Sequence, residues 1–184
     1  NNISVLYPCF ILDSFQDNIE DWRSYALSQK GYKRLEDTYH PGQYRLAVYS
    51  EEVTVDTYGY LSTQGTFDMV FDCKPQRYLK SGDIPVEIDH EETIYNRTHF
   101  QAKPLLRCYG NGTFSIGHEV ITVNTSKPYI DIDCDMMDAF YGSENCNSDI
   151  EMSSGEFPML DPGENGIDPG DLTKIIITPR WWTL

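Results

Sequence analysis

The sequence predicts a mainly β protein of two domains, in which the first domain carries one short α-helix. Three observations support this prediction. A chain of 184 residues is long enough for one large domain or two small ones. Only one segment has the apolar spacing of an amphipathic helix. The other apolar segments are short, often alternate with polar residues and lie between turn residues, which is typical of antiparallel sheets.

The predicted helix covers about residues 19–30. Asn18 would be its N-cap, because an asparagine side chain can accept a hydrogen bond from a free N–H of the first turn. Glu20 and Asp21 suit the positive end of the helix dipole. Gly31 would end the helix in a left-handed turn. The apolar residues that recur at helical spacing are Ile19, Trp22, Tyr25 and Ala26.

Four strands complete the first predicted domain, residues 1–82, whose boundary we place near Gly82. The strand over residues 3–12 contains Pro8, which has no N–H to donate, so we expect it to bend or to lie at a sheet edge. The strand over residues 65–73 alternates strictly, and one of its faces should be buried. That face carries Phe67, Met69, Phe71 and Cys73. Residues 44–49 and 53–57 are the other two predicted strands, and 74–83 is a basic, turn-rich connection.

The second predicted domain, residues 83–184, consists of short strands, which favours an antiparallel β-sandwich. The sequence Gly110-Asn-Gly112 is typical of a type I′ hairpin between the strands on either side of it. We expect an acidic loop over residues 135–154. The predicted strands are residues 104–109, 113–116, 119–123, 129–133, 157–160 and 174–184.

The net charge of −15 excludes several classes of partner. Residues 1–82 hold 8 basic and 11 acidic residues, a net charge of −3, whereas residues 83–184 hold 6 and 18, a net charge of −12. Such an acidic surface repels phosphate backbones and anionic lipids, so neither nucleic acid nor a membrane is an expected partner. The start at Asn1, without a methionine, leads us to expect a fragment of a longer protein.

No catalytic, cofactor-binding or metal-binding residues are expected, and we predict that the protein is not an enzyme. The sequence has no zinc-ligand spacing, no nucleophile elbow and no phosphate-binding glycine loop. The histidines should have surface or capping roles, and the cysteines should be small buried hydrophobes in a reducing compartment. These residues are His40, His90, His99 and His118, and Cys9, Cys73, Cys108, Cys134 and Cys146.

Several carboxylates lie close together between Asp131 and Asp138. An EF-hand loop beginning at Asp131 would need glycine at its sixth position and glutamate at its twelfth, where Met136 and Gly142 stand. In a strand, Asp131, Asp133 and Asp135 would share one face. We expect this face to be solvated, and an adventitious cation is the alternative.

Segments spread over almost the whole chain resemble the distal tail protein family of long-tailed siphophages, often shortened to Dit. No single segment is decisive, and the resemblance rests on their order and spacing. The most distinctive are Phe71-Asp-Cys-Lys-Pro-Gln-Arg77 and Pro179-Arg-Trp-Trp-Thr-Leu184. The others are residues 2–12, the helix with Trp22 and Leu27, 31–41, 65–70, 103–112, 129–133 and 155–165.

The resemblance implies an N-terminal β-rich domain with one helix, incomplete here at its N-terminus, that assembles into a hexameric ring. It implies a galectin-like antiparallel β-sandwich outside the ring. The protein would be a structural hub of a bacteriophage tail tip or baseplate, part of the virion and assembled in the cytoplasm of the bacterial host. Its partners would be copies of itself, the tail tube protein, the tape-measure protein and the tail-tip or receptor-binding proteins. In such a virus the Asn-x-Ser/Thr sequences at Asn96, Asn111 and Asn124 are chance matches to the glycosylation pattern.

The alternative is a carbohydrate-binding module that contacts cell-wall polysaccharide, and the C-terminal segment bears on it. Arg180, Trp181 and Trp182 could form a sugar-stacking or cation–π site. The sequence has no His-x-Asn-x-Arg segment of the galectin type. We favour a packing role, in which the tryptophans fix the chain end to a domain surface and Arg180 lies along an aromatic face.

Overall fold

The computed structural model describes residues 1–49, 55–58 and 63–184, and of residues 55–58 it describes the backbone. The described chain is mainly β, with one α-helix, which confirms the predicted fold class. It forms two compact units, residues 1–77 with Leu184 and residues 78–183. None of the helices in the described part is long and apolar enough to cross a membrane.

The first unit is built on a sheet with the strand order β1-β5-β3-β2, and β4 pairs with the start of β5. Strand β1 lies at an edge of this sheet, as Pro8 predicts, and is antiparallel to β5. The first residues of the predicted strand 53–57 lie outside the described residues. The elements are β1 (Ile3–Ile11), α1 (Phe15–Ser28), β2 (Lys33–Leu35), β3 (Gln43–Tyr49), β4 (Val55–Tyr58) and β5 (Gln64–Leu79).

Helix α1 packs against the alternating face of β5. Phe67 is buried there with Phe15 and Ile19 of the helix, and Met69 packs beside them. The ring centroids of Phe15 and Phe67 are 6.5 Å apart. A Cβ atom at position 65 would lie 2.6 Å from the Phe15 ring, so the strand needs glycine where the ring crosses it. The alternation predicted for residues 65–73 is thus confirmed at Phe67 and Cys73, which are buried, whereas Met69 and Phe71 are half-buried.

The helix begins at Phe15, earlier than predicted, and Asn18 is not its N-cap. Asn18 lies in the first turn, where its N–H donates to the Ser14 carbonyl at 3.1 Å and its side chain donates to the Asp13 carbonyl at 2.9 Å. The early start is explained by Phe15, the first residue of the helix. Its side chain is 1% exposed, and its burial holds the first turn against the sheet. The helix ends at Ser28, before Gly31, although Gly31 does have a left-handed φ of 67°.

The second unit contains two antiparallel sheets, which confirms the predicted sandwich. One has the strand order β14-β10-β9-β15-β7 and the other β13-β12-β11-β8-β16-β6. Their strands are β6 (Val86–Ile88), β7 (Glu92–Asn96), β8 (Leu105–Tyr109), β9 (Gly112–Ile116), β10 (Glu119–Val123), β11 (Ile130–Asp133), β12 (Asp138–Tyr141), β13 (Glu144–Asn145), β14 (Ile150–Met152), β15 (Gly163–Asp168) and β16 (Lys174–Thr178). Strand β17 (Trp182–Thr183) follows.

The core of the second unit lies between these two sheets. Leu106, Ile132 and Ile175 belong to the six-stranded sheet and are at most 1% exposed. Phe114 and Ile121 belong to the five-stranded sheet and are at most 2% exposed. All five are members of one buried cluster, so a single hydrophobic core holds the unit together.

The predicted hairpin at Gly110-Asn-Gly112 is wrong. Strand β8 pairs with β11 and β16, whereas β9 pairs with β10 and β15, so this turn carries the chain from one sheet to the other. Gly110 and Gly112 do adopt positive φ angles of 104° and 128°. The residues of a tight turn specify its backbone conformation but not which sheet the next strand enters. The hairpin in this region joins β9 to β10 through Gly117 and His118.

Three further predictions are wrong in detail. The connection 74–83 is mostly strand, since β5 continues to Leu79 and is followed by a 3₁₀ turn at 80–83. The acidic loop 135–154 contains β12, β13, β14 and a 3₁₀ turn, because Ala139 and Cys146 are buried and anchor these short strands. The predicted strand 157–160 is reduced to one bridge between Leu160 and Ala102.

Candidate functional site

One face of the first unit exposes a row of apolar side chains along β1. Alternation along the strand directs Cys9 and Ile11 towards α1 and the neighbouring side chains to the opposite face. There Leu6 and Phe10 are 54% and 68% exposed, and Leu12, which directly follows the strand, is 67% exposed. Single exposed hydrophobic residues are common, but several along one strand face indicate an interaction site. We call Leu6, Pro8, Phe10 and Leu12 the apolar row.

The apolar row is bordered by acidic and polar side chains of β5. The pairing register places Asp68 opposite Pro8 and Thr66 opposite Phe10. Asp72 lies further along the same strand face and accepts a hydrogen bond of 2.8 Å from the Asn2 side chain. This open sheet face therefore combines apolar area with a negative border.

The helix side of the same unit carries a groove of about 440 Å³ between α1 and strands β2 and β3. Its lining is aromatic and aliphatic, from Trp22, Tyr25, Ala26, Leu35, Tyr49 and Phe71. Tyr25 is 68% exposed at its lip. Lys33 and Arg34 are exposed lining residues, and Arg34 pairs with Glu36 at 2.6 Å, so the basic charge of the rim comes mainly from Lys33. The unit thus presents an apolar row with acidic borders on one face and an apolar groove with a basic rim on the other.

The acidic strand β11 is not solvated, which overturns the expectation for Asp131 and Asp133. They are 6% and 5% exposed, and each binds an arginine through two hydrogen bonds. Arg107 binds Asp131 at 2.7 and 2.9 Å, and Arg180 binds Asp133 at 2.7 and 2.8 Å. Asp135 is exposed. A buried carboxylate needs such a partner, because its desolvation is otherwise too costly.

These pairs explain the shifts in pKa on β11. Burial alone would raise the pKa of Asp133, but the hydrogen bonds from Arg180 and from the N–H groups of Met136 and Asp135 outweigh it and lower that pKa. The hydrogen bonds that Arg107 donates to Asp131 raise the pKa of Arg107. The Arg107 guanidinium also lies 4.4 Å from the centroid of the Tyr129 ring. Both arginines therefore have structural roles as counter-ions.

The C-terminal segment, residues 179–183, is fixed to the second unit. The Leu79 N–H donates to the Trp181 carbonyl, and the Arg180 N–H donates to the Gly82 carbonyl, both at 2.8 Å. Trp182 stacks on Phe100 with centroids 4.3 Å apart, and its indole N–H donates to the Gln101 carbonyl at 2.9 Å. The expected packing role of the tryptophans is confirmed. The expected position of Arg180 along an aromatic face is wrong, because its guanidinium binds Asp133.

The structure separates the histidines and buries most of the cysteines. His90, His99 and His118 are exposed, whereas His40 is half-buried and its N–H donates to Asp37 at 2.9 Å. All five cysteines are free, and only Cys9 is not fully buried. Burial raises the pKa of the Cys134 thiol to about 12, which keeps it neutral. No group of three or more potential metal ligands occurs within the described ranges.

Two of the three asparagines in glycosylation-like sequences have structural hydrogen bonds. Asn96 is 1% exposed, and its amide donates to the carbonyls of Phe100 and Leu160. The Asn111 side chain accepts from the Thr125 N–H at 2.7 Å and donates to the Thr125 carbonyl at 3.0 Å. Asn124 is exposed. The first two positions therefore hold loops together.

A comparison with solved structures identifies a protein of the same fold. The Dit protein of phage SPP1, described as a paradigm of the hub adsorption apparatus in phages that infect Gram-positive bacteria, superimposes with a TM-score of 0.69. The match covers 100% of this chain and 80% of that protein, at 11% sequence identity. No protein-family model and no curated protein sequence matches the chain. The resemblance to the distal tail protein family is thus confirmed at the level of the fold, which this chain shares along its whole length.

Proposed function

We propose that this chain is a structural subunit of a bacteriophage tail tip or baseplate. It would form a hexameric hub in the virion that joins the tail tube to the host-adsorption proteins. The observation that carries this proposal is the match of both units, over the whole chain, to a phage hub protein. A match to the second unit alone could reflect only a β-sandwich, which many unrelated proteins share. A sheet that carries a helix, followed by a two-sheet sandwich, is more specific than a sandwich by itself. The tail tube, tape-measure and receptor-binding proteins remain the proposed partners.

We propose that residues 1–82 supply most of the contacts between subunits. The apolar row and the helix groove lie on opposite faces of one sheet and differ in the charge of their borders. Two unlike patches on one molecule favour head-to-tail contacts, which close into a ring when the rotation between copies is right. The net charge of −3 in residues 1–82 also allows these parts of neighbouring copies to approach one another. The net charge of −12 in residues 83–184 would make copies repel, which favours a position at the periphery of the ring.

The ring is tested with Phe10→Asp. We expect the full-length protein to form a species of six chains in mass photometry and a ring in negative-stain electron microscopy. Phe10→Asp should shift the protein to monomers, because the substitution places a charge in an apolar contact between copies from which water is excluded. Val120→Asp is the matched control, since Val120 is also an exposed strand residue, at 41%, but lies in the second unit.

Two results would contradict this proposal. A wild-type protein that stays monomeric at micromolar concentration would refute the ring. A ring that Phe10→Asp leaves intact while Val120→Asp dissociates it would refute the assignment of the contacts to the first unit. Circular dichroism of both variants shows whether they are folded.

A further inference from the structure

A small pocket of about 170 Å³ in the first unit brings two arginines together. We call it the arginine pocket. It lies between β1, β3 and the second half of β5, and its polar lining residues include Tyr7, Asp37, His40, Gln43, Arg45 and Arg77. Its volume suits one side chain or a small organic acid and is too small for a nucleotide.

Arg45 is held in place by the backbone of β5. Its Nη1 donates to the carbonyls of Lys74 at 3.3 Å and Pro75 at 2.5 Å. Burial, and next the positive charge of Arg77, lower the pKa of Arg45. Two guanidinium groups therefore share a poorly solvated space and repel each other, an arrangement that a negative charge between them would stabilise.

Arg77 has an unused donor in this pocket. Its Nε is buried and has no hydrogen-bond partner among the described residues, and the same holds for the Oε1 atom of Gln43. A buried N–H of a charged group without an acceptor is costly, and such groups are rare in folded proteins. An acceptor that enters the pocket would remove this cost.

The nearby carboxylate of Asp37 is already engaged. It accepts hydrogen bonds from the Tyr7 hydroxyl at 2.8 Å and from the His40 N–H at 2.9 Å. The Nδ1 atom of His40 lies 3.3 Å from the same carboxylate. The hydrogen bond from Tyr7 lowers the pKa of Asp37, which stays ionised. The single carboxylate of Asp37, which already accepts hydrogen bonds, thus faces the guanidinium groups of Arg45 and Arg77. The pocket has room for a second negative group.

We infer that the arginine pocket binds a carboxylate group, which an acidic side chain of a neighbouring copy of this chain supplies in the ring. This source rests on the proposed ring. Arg77 would donate from its fork of N–H groups, the geometry that arginine uses for carboxylates. The chain is a suitable donor, because it has 29 acidic against 14 basic residues.

Carboxylate binding is tested on the monomeric chain, so it does not depend on the ring. Thermal unfolding is measured at high dilution in sodium acetate and in sodium chloride of equal ionic strength at pH 7. Acetate should raise the Tm of the wild type by several degrees, because a ligand that binds only the folded state stabilises it. Arg77→Met should abolish this shift without lowering the Tm in chloride, since it removes a buried N–H group that lacks an acceptor among the described residues.

Arg97→Met is the control, because Arg97 is an exposed arginine of the second unit, and this variant should keep the acetate shift. A wild type that responds equally to acetate and chloride, or an Arg77→Met variant that keeps the response, would overturn the carboxylate site.

The source of the carboxylate is tested separately on the ring. Arg77→Met should raise the concentration at which six-chain particles dissociate in mass photometry by at least tenfold. An unchanged concentration together with a lost acetate response would overturn the neighbouring copy as the source and assign the pocket to a free small carboxylate. A wild type without rings would refute the proposed function, while the acetate response would still decide the site.

Discussion

The pair of Asp133 and Arg180 shows what a local pattern can and cannot predict about single residues. The two positions are 47 apart in sequence. Alternation along β11 placed Asp131 and Asp133 correctly on the face opposite Ile130 and Ile132. It did not predict their burial, because the arginines that neutralise them come from β8 and from the chain end. Charge partners distant in sequence leave no periodic pattern.

The lowered pKa of Asp133 makes part of the stability dependent on pH. The unfolded chain binds a proton at this carboxylate near its ordinary pKa of about 3.9, above the pKa in the folded state. The stability that ionised Asp133 contributes is therefore fully present above the unfolded pKa. It is lost as the pH falls through the folded pKa. At pH 6, Asp133→Asn should lower the free energy of unfolding by about 2 kcal/mol, because the charged hydrogen bonds are weakened.

Urea unfolding between pH 3 and pH 6 checks this prediction. The difference between the wild type and Asp133→Asn should shrink below about pH 4. Glu151→Gln, at an exposed carboxylate of the same unit, should differ little from the wild type at either pH. A difference for Asp133→Asn that stays constant down to pH 3 would contradict the role of the ionised carboxylate.

At the scale of elements, the sequence predicted most strands but not how they are shared between sheets. The strand cores near residues 105–109, 113–116, 119–123 and 174–178 were found because alternation is a local property. The strands at 86–88, 92–96 and 163–168 were missed. Two of them carry polar residues such as Asn96 and Asn165 at buried positions, where side-chain hydrogen bonds replace apolar packing.

Strand β17 gives a prediction for the chain end. Deleting residues 181–184 removes the Trp182–Phe100 stack, the indole hydrogen bond to Gln101 and the hydrogen bond from Leu79. We expect the free energy of unfolding to fall by about 3 kcal/mol, the lower range for removing a packed tryptophan.

Far-UV circular dichroism during urea unfolding measures this loss without relying on tryptophan fluorescence. Deletion of Leu184 alone is the control, because that residue is 64% exposed. If both deletions have the same small effect, the C-terminal segment does not stabilise the second unit.

At the scale of the whole molecule, the fold class and the resemblance were more predictable than any site. A two-part pattern of strands with one helix emerged from composition and spacing, and the matching fold agrees with it. The exposed apolar row was not identified, because residues 3–12 form one apolar run. Only the packing of α1 on one side shows which of these side chains remain uncovered.

Net charge gives a prediction for the assembly as a whole. Each chain carries −15, so the six copies of the proposed ring would repel one another over distances that salt shortens from about 10 Å at 0.1 M to about 3 Å at 1 M. We expect added sodium chloride to lower the concentration at which the ring dissociates. This general repulsion should outweigh the few opposite charges around the apolar row and the helix groove.

Mass photometry across a salt series measures this effect, with sucrose as a control for changes in solvent other than ionic strength. A ring that salt loosens would contradict the prediction and would show that ion pairs between copies dominate the contact.

The hydrogen bonds that join Leu79 to Trp181 and Gly82 to Arg180 place the first and last residues of the second unit side by side. A Cβ atom at position 82 would collide with the backbone of Trp181, so this junction is closely packed. A module whose entry and exit adjoin can be inserted or exchanged without altering the course of the chain on either side. The sandwich is thus suited to evolutionary replacement, in which a different module takes its place after the same first unit.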